Sequence, residues 1–253
     1  MDGAASSYQD IFVLRGAAHD EAFRRFPQAS REEVLAILTL ADPRPGETLV
    51  DVPAAGGFLN THIQTANLRV IAIDPSPVMH ALCKQKVAEC HLAPMDALPL
   101  PSASVDVVLC LAGLHHEPHP ERVFAEWRRV LRPAGGRLAI AEIAVATPPA
   151  QFLNGFVDRH STLGHKGTFL DDNLLRLLRN AGFSIVRNED VHYHWQFAEL
   201  EDVGECLRLM FGIDLATPAQ IRAAVADELG IDALPGGGFG MRWSLRHVLA
   251  YPV

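Results

Sequence analysis

Two short stretches of this 253-residue chain gather imidazoles between residues that break regular structure. LHHEPHP (114–120) carries His115, His116 and His119, and GHKGTF (164–169) carries His165 between Gly164 and Gly167. An imidazole titrates near neutrality, so His115 and His165 are the candidate proton acceptors for a substrate. The plainer readings carry equal weight: His115 as a cap on the following helix, and His165 as an exposed loop residue. His119 is expected to be exposed. His115 and His119 are four positions apart, but Pro118 between them prevents a shared helical face, so no metal site is expected. His160, His192 and His194 fall in other segments at the edge of the regular pattern.

A third stretch, DVPAAGG (51–57), follows the apolar run Thr48-Leu49-Val50 and looks like the turn that leaves a buried strand. Asp74 ends the next run, Val70-Ile71-Ala72-Ile73, at the spacing of one strand–helix–strand unit. In an open α/β sheet, ligands bind beyond the carboxyl ends of the strands, where strand order reverses. A carboxylate at Asp74 then accepts hydrogen bonds from the two hydroxyls of a ribose. A dinucleotide would require G-x-G-x-x-G, and no glycine follows Gly57 in that register.

The elements that must hold these residues are legible in the hydrophobic pattern. Apolar runs at 48–52, 70–73, 90–93, 105–111 and 137–143 alternate with helix candidates at 58–66, 77–87 and 120–131. This is the signature of a parallel sheet with helices on both faces. A further helix is expected at 171–181, capped by Asp171 or Asp172 and ending at Gly182, with strands starting at 183–186 and at 242–248. Amphipathic helices are expected at 31–40, 199–211 and 218–229. Phe12, Phe23, Phe26 and Phe211 either close an apolar pocket or dock helices; Tyr193 and Trp195 are expected in packing roles.

The pattern resembles the class I S-adenosylmethionine-dependent methyltransferases, over about 47–143 and more loosely over 171–194. The most specific match is EWRRVLRPAGG (126–136), which is similar to the E-x-x-R-V-L-K/R-P-G-G segment of the ubiquinone/menaquinone-biosynthesis type. The family's first loop, D/E-x-G-x-G-x-G, falls on Asp51, Pro53, Ala55 and Gly57, keeping the acid and the last glycine. The resemblance implies an α/β fold, a doubly wound, mostly parallel seven-stranded sheet (Rossmann-like) with helical cover segments. It also implies S-adenosyl-L-methionine as cofactor, held by Asp51, Pro53, Ala55, Gly57, Asp74, Pro75, Asp96, Ala97 and Leu111, and methyl transfer to a small-molecule acceptor. Proline and alanine in the loop leave two rivals: a non-catalytic binding or scaffold protein on this fold, and an S-adenosylmethionine-binding enzyme of another reaction type.

Composition narrows the partners. A formal charge of −8, with acids interleaved among the bases, argues against a nucleic-acid surface. No run of about 18 apolar residues suggests a membrane span. The N-terminal MDGAASS has no basic segment followed by an apolar one, so a cytoplasmic location is expected. The four cysteines show no CxxC pairing and fit a reducing compartment. A single methyltransferase-like domain over 1–253 is expected, monomeric or homodimeric. Its core covers about 42–194 and 241–253, and its cover segments are 1–40, 146–170 and 195–240.

Overall fold

The computed structural model describes residues 8–253. The MDGAASS stretch read for a leader, which is also the start of the first cover segment, lies outside the described residues. Two helices, α1 (Tyr8–Arg25) and α2 (Arg31–Ala41), precede the sheet. The alternating core follows as β1 (Thr48–Asp51), β2 (Arg69–Asp74), α3 (Pro77–Cys83), β3 (Glu89–Leu92), β4 (Val107–Leu111), α4 (Pro120–Val130) and β5 (Arg137–Glu142). Next come α5 (Pro148–Phe152), a π-helical turn at Leu153–Val157, α6 (Asp158–His160) and α7 (Asp172–Asn180). The chain closes with β6 (Phe183–Phe197), α8 (Leu200–Phe211), α9 (Pro218–Glu228), β7 (Ile231–Ala233) and β8 (Phe239–Pro252).

Among the described residues one 8-stranded sheet forms in the order β3-β2-β1-β4-β5-β8-β6, with β7 added to β8. The first five strands are parallel; β8 runs antiparallel to both β5 and β6. The period of two along each strand sends neighbouring side chains to opposite faces. Leu49, Leu109 and Ala139 pack with Val34 and Ile37 of α2 on one side. Val50, Val108 and Ile140 pack with Trp127 of α4 and Leu178 of α7 on the other. Strands buried on both faces read as continuous apolar runs, as these do.

Local chemistry explains where several helices begin and end. Pro120 opens α4 in the first turn, where its missing N–H is not needed. Asp171 caps α7 by accepting from the Leu174 N–H at 2.8 Å, and Gly182 past its end has φ 87°. Thr217 and Gln220 form a capping box on α9.

Three expectations are corrected. The helix expected at 58–66 is a pair of 3-10 turns, at Ala55–Gly57 and Leu59–His62. Thr61 Oγ1 donates to the Phe58 carbonyl at 2.7 Å, and Asn60 reaches back to Asp51, so side chains there take up groups a helix would need. The helix expected at 77–87 stops at Cys83, and Lys86 turns back to donate to the Gly56 carbonyl at 2.9 Å. The strand starting at 183 runs 15 residues, so 195–197, assigned to a cover segment, belong to the sheet. Its polar middle hides the alternation, which re-emerges as buried Tyr193, Trp195 and Phe197. Among the described residues no helix is long and apolar enough to cross a membrane.

Candidate active site

β1 lies between β2 and β4, so strand order reverses at its carboxyl end. The loop after β1 and the loop after β4 therefore face each other across a crevice, the expected ligand position in such a sheet. Their contact is tight. A Cβ on Gly113 would lie 2.3 Å from Pro53 Cγ, so only glycine lets the loop after β4 pass the proline ring.

The first loop is left-handed over three successive residues: φ is 44° at Ala55, 73° at Gly56 and 80° at Gly57. Ala55 thus adopts the conformation a glycine would supply, at a steric cost. The Ala55 N–H donates to Asp74 Oδ2 at 2.9 Å, which fixes the loop to the end of β2. Gly57 serves packing: a Cβ there would stand 3.1 Å from both Cys83 Sγ and Val87 Cγ2.

Asp51 and Asp74 are both buried. Asp51 accepts from Asn60 Nδ2 at 3.1 Å, and burial, then the nearby Asp74 charge, pushes its carboxyl well above the ordinary range. Asp74 accepts from the backbone of Ser76 and Ala55 at 2.9 Å each and from Tyr8 Oη at 3.3 Å. Burial raises its pKa to about 7, and these three bonds oppose the rise.

Beyond the loops a cavity of about 930 Å³, counting its open mouth, runs beneath α1 to the ends of β6 and β8. Asp51, Pro53, Ala55, Leu111, His115 and His165 line it, as do Phe12, Phe23 and Phe211. Of the other proposed cofactor residues, Gly57, Asp74, Pro75, Asp96 and Ala97 are not on its wall; Asp96 is partly buried and Ala97 exposed, in the turn after β3. Phe26 also lies elsewhere, edge-on to Phe197. The far end is aromatic, with the Trp195 and Trp243 rings 5.2 Å apart and Phe211 within 6.1 Å of both.

Burial decides the charges of the cavity's polar groups. Glu33 accepts from Trp195 Nε1 at 3.1 Å, and burial raises its pKa to about 8, so it is largely protonated at neutral pH. Arg15 donates to the Met210 carbonyl at 3.0 Å, while its Nε has no partner among the described residues. Burial lowers Arg15 to about 10 and His19, whose Nδ1 is also unpartnered, to about 3.

Opposite the first loop, three imidazoles meet. Glu142, at the end of β5, accepts the backbone N–H groups of Leu114, His115 and Ile143, so its remaining partner, His115 Nδ1 at 2.8 Å, is a donor. His165 is fixed the same way. Asn154 Oδ1 takes the Gly167 N–H at 3.1 Å, which identifies it as the amide oxygen, and lies 2.9 Å from His165 Nδ1. Both rings therefore donate from Nδ1, which leaves Nε2 of each as the nitrogen turned to the cavity. His116 completes the group, with ring centroids 4.0 Å from His115 and 5.4 Å from His165. Burial lowers His165 to about 3, and burial first, then its two neighbours, holds His116 well below the ordinary imidazole range. His119 is exposed, and His160, His192 and His194 lie off the cavity wall.

Tyr8, Arg15, His19, Glu33, Glu142 and Asn154 escaped the sequence reading. Only Glu142 had a usable signal there, an acid closing the apolar run of β5. Asn154 sits in the π-helical turn, a widening that often marks functional sites.

Residues 50–140 match the family described as "Methyltransferase domain". An arsenite methyltransferase of Halobacterium salinarum is 30% identical over 64% of this chain and 45% of its own length. The 27-O-demethylrifamycin SV methyltransferase of Amycolatopsis mediterranei is 33% identical over 58% of each chain. The chain thus spans about half the length of these curated relatives. Among solved structures, that of the [4+2]-cyclase SpnF superposes with a TM-score of 0.68 at 17% identity, covering 99% of this chain and 98% of that one.

Proposed function

We propose that this protein, in which residues 50–140 match a methyltransferase domain, is a class I S-adenosylmethionine-dependent enzyme that transfers a methyl group to a small planar acceptor bearing an anionic or ionisable oxygen. The observation that carries the reading is one continuous cavity, joining the loop after β1 to an aromatic wall past three imidazoles and a buried arginine. The whole chain acts as a single unit, since α1, the loops after β1 and β4, the π-helical turn and the ends of β6 and β8 all contribute walls.

The residues at the loop fit the cofactor. Pro53, Ala54 and Ala55 with Leu111 and Ala112 form an apolar cradle for its methionine half, and the buried Asp51 carboxyl faces the same space. Bound there, S-adenosylmethionine supplies a methyl group already activated on a sulfonium. Asp74 would hold the ribose hydroxyls, with the Tyr8 hydroxyl as the protein donor that competes for the same carboxylate oxygen. Asp96 and Ala97 are the proposed adenine contacts.

Trp195, Trp243 and Phe211 stack a planar acceptor, the neutral Glu33 donates a hydrogen bond to it, and Arg15 pairs with its anionic group. His115 and His165, each aimed by an acceptor on Nδ1, turn Nε2 toward the end of the cavity that receives the oxygen to be methylated. Enclosure under α1 excludes water, and in-line positioning supplies much of the rate. The interleaved charges and four free cysteines support cytoplasmic work on a metabolite, away from nucleic acid.

Thermal unfolding with S-adenosylmethionine, S-adenosylhomocysteine and NAD tests the cofactor. A ligand at 100 times its dissociation constant stabilises by about 2.7 kcal/mol, so the first two raise Tm and NAD does not. No shift with either sulfur compound returns the protein to the scaffold reading. Radiolabelled methyl transfer to a panel of aromatic phenols and carboxylates, set against aliphatic amines, tests the acceptor class.

A further inference from the structure

We propose that His115, His116 and His165 bind one divalent cation of the zinc class, with a fourth coordination position open to the acceptor cavity. The ligand nitrogens of the three residues lie within 4.8 Å of one another. Metal–nitrogen bonds of about 2.0–2.1 Å in a tetrahedral site put ligand nitrogens roughly 3.3 Å apart, so small rotations of the rings close the cluster on an ion.

Four features mark this as a built site. First, His115 Nδ1 is held by the Glu142 carboxylate at 2.8 Å and His165 Nδ1 by Asn154 Oδ1 at 2.9 Å. A metal-bound imidazole almost always donates its other N–H to such an acceptor, which fixes the tautomer and raises the basicity of the ligating nitrogen. Second, a core histidine normally satisfies both nitrogens, whereas here, among the described residues, no hydrogen bond reaches Nε2 of His115 or His165 or either ring nitrogen of His116. Third, the backbone is shaped to let the rings meet. A Cβ on Gly167 would stand 3.0 Å from His165 Cε1 and 3.1 Å from His115 Cδ2, and the Thr168 N–H ties the two segments together through the His115 carbonyl at 2.8 Å. Fourth, three neutral nitrogen donors suit zinc, copper, iron or nickel and do not suit magnesium or calcium.

The donor set carries no charge, and Arg15 lies on the same cavity wall. Beyond the Glu142 carboxylate bonded to His115, nothing in the set offsets the charge of the ion, which calls for an anionic fourth ligand. That ligand is the acceptor oxygen, an assignment that rests on the reading of the cavity as an acceptor site. When a hydroxyl of the acceptor coordinates, an oxygen–metal bond forms, the O–H bond breaks, and its proton passes to the metal-bound hydroxide it displaces, which leaves as water. A lone pair of that oxygen then attacks the methyl carbon. The C–O bond forms as the C–S bond breaks, and its electron pair returns to sulfur. No side chain has to serve as the base.

Cobalt(II) reports the site directly, because a tetrahedral three-nitrogen environment gives intense visible absorption. Chelator-stripped protein titrated with Co²⁺ should bind one equivalent with those bands, and Zn²⁺ should displace it. His165→Ala and His116→Ala should abolish the bands, Asn154→Ala should weaken binding about 10–100-fold, and the exposed His119→Ala should leave it unchanged. A wild-type protein with no saturable bands overturns the site, a result that needs no variant to fold. So does His165→Ala binding as tightly as wild type, or equal loss in His119→Ala. Stabilisation of the stripped protein by S-adenosylmethionine is measured alongside. A shift without Co²⁺ binding overturns the metal alone; Co²⁺ binding without a shift supports the metal and overturns the cofactor reading.

Discussion

Tyr8 Oη donates a 3.3 Å hydrogen bond to Asp74 Oδ2, fastening the first turn of α1 to the end of β2. With the Ala55 N–H on the same oxygen, Oδ2 of the carboxylate proposed to hold the ribose is filled by protein donors. Tyr8→Phe removes the competitor, and one net hydrogen bond of about 0.5–1.5 kcal/mol corresponds to roughly 2–10-fold tighter binding of S-adenosylmethionine. Asp74→Ala should weaken it by at least about tenfold. Calorimetric titration decides, and unchanged affinity in both variants would show that the ribose lies elsewhere.

Ala55 holds φ 44° beside the cofactor cradle. Ala55→Gly relieves a left-handed alanine, which costs about 1–2 kcal/mol, against roughly 0.5–1 kcal/mol of added chain entropy. The expected result is unchanged or slightly raised Tm with cofactor affinity intact. Ala55→Val places a β-branched residue at positive φ and crowds the cradle, so both stability and affinity should fall. A valine variant that binds as wild type would separate this loop from the cofactor.

Glu33 sets a pH dependence. Its pKa rises from 4.5 to about 8 on folding, chiefly by burial. Between those values the folded chain keeps a proton that the unfolded chain has released. The contribution is full below the lower value and is lost as pH climbs through the upper one. The slope is about 1.4 kcal/mol per pH unit, and Asp74, raised to about 7, adds to it over the lower part of the window. Glu33→Gln should flatten urea-unfolding stability measured from pH 5.5 to 7.5. Identical slopes in the variant and wild type would contradict a proton held at Glu33.

Arg15 is a buried cation whose Nε has no partner among the described residues. Replacing an under-compensated buried charge with a similar apolar volume is often neutral or stabilising. Arg15→Met should therefore keep or raise Tm while weakening an anionic acceptor by at least about tenfold, since bonds to charged groups are worth about 1.5–3 kcal/mol. The KM for that acceptor is the readout. An unaltered KM would place its anionic group away from α1.

The strands of the parallel core, α4, α7 and the crevice loop were all legible in the sequence, because each is set by local chemistry. Continuous apolar runs, 3.6-residue apolar periods, Pro120 at a helix start and Gly182 at a helix end act within a few positions. The loop after β1 followed from the position of Asp51 at a strand end, and Asp74 from one strand–helix–strand unit further on. The same locality explains the failures nearby: the apolar spacing at 58–66 suggested a helix, but side chains of Asn60 and Thr61 bonded elsewhere. What the tertiary structure alone decided is which distant residues share the cavity. Tyr8 meets Asp74 across 66 positions and Glu33 meets Trp195 across 162. His165 joins His115 and His116 because a π-helical turn and a glycine bring its loop against the loop after β4. Such meetings depend on how helices stack over the sheet edge and on which polar groups burial leaves to find one another, and no periodicity along the chain encodes either.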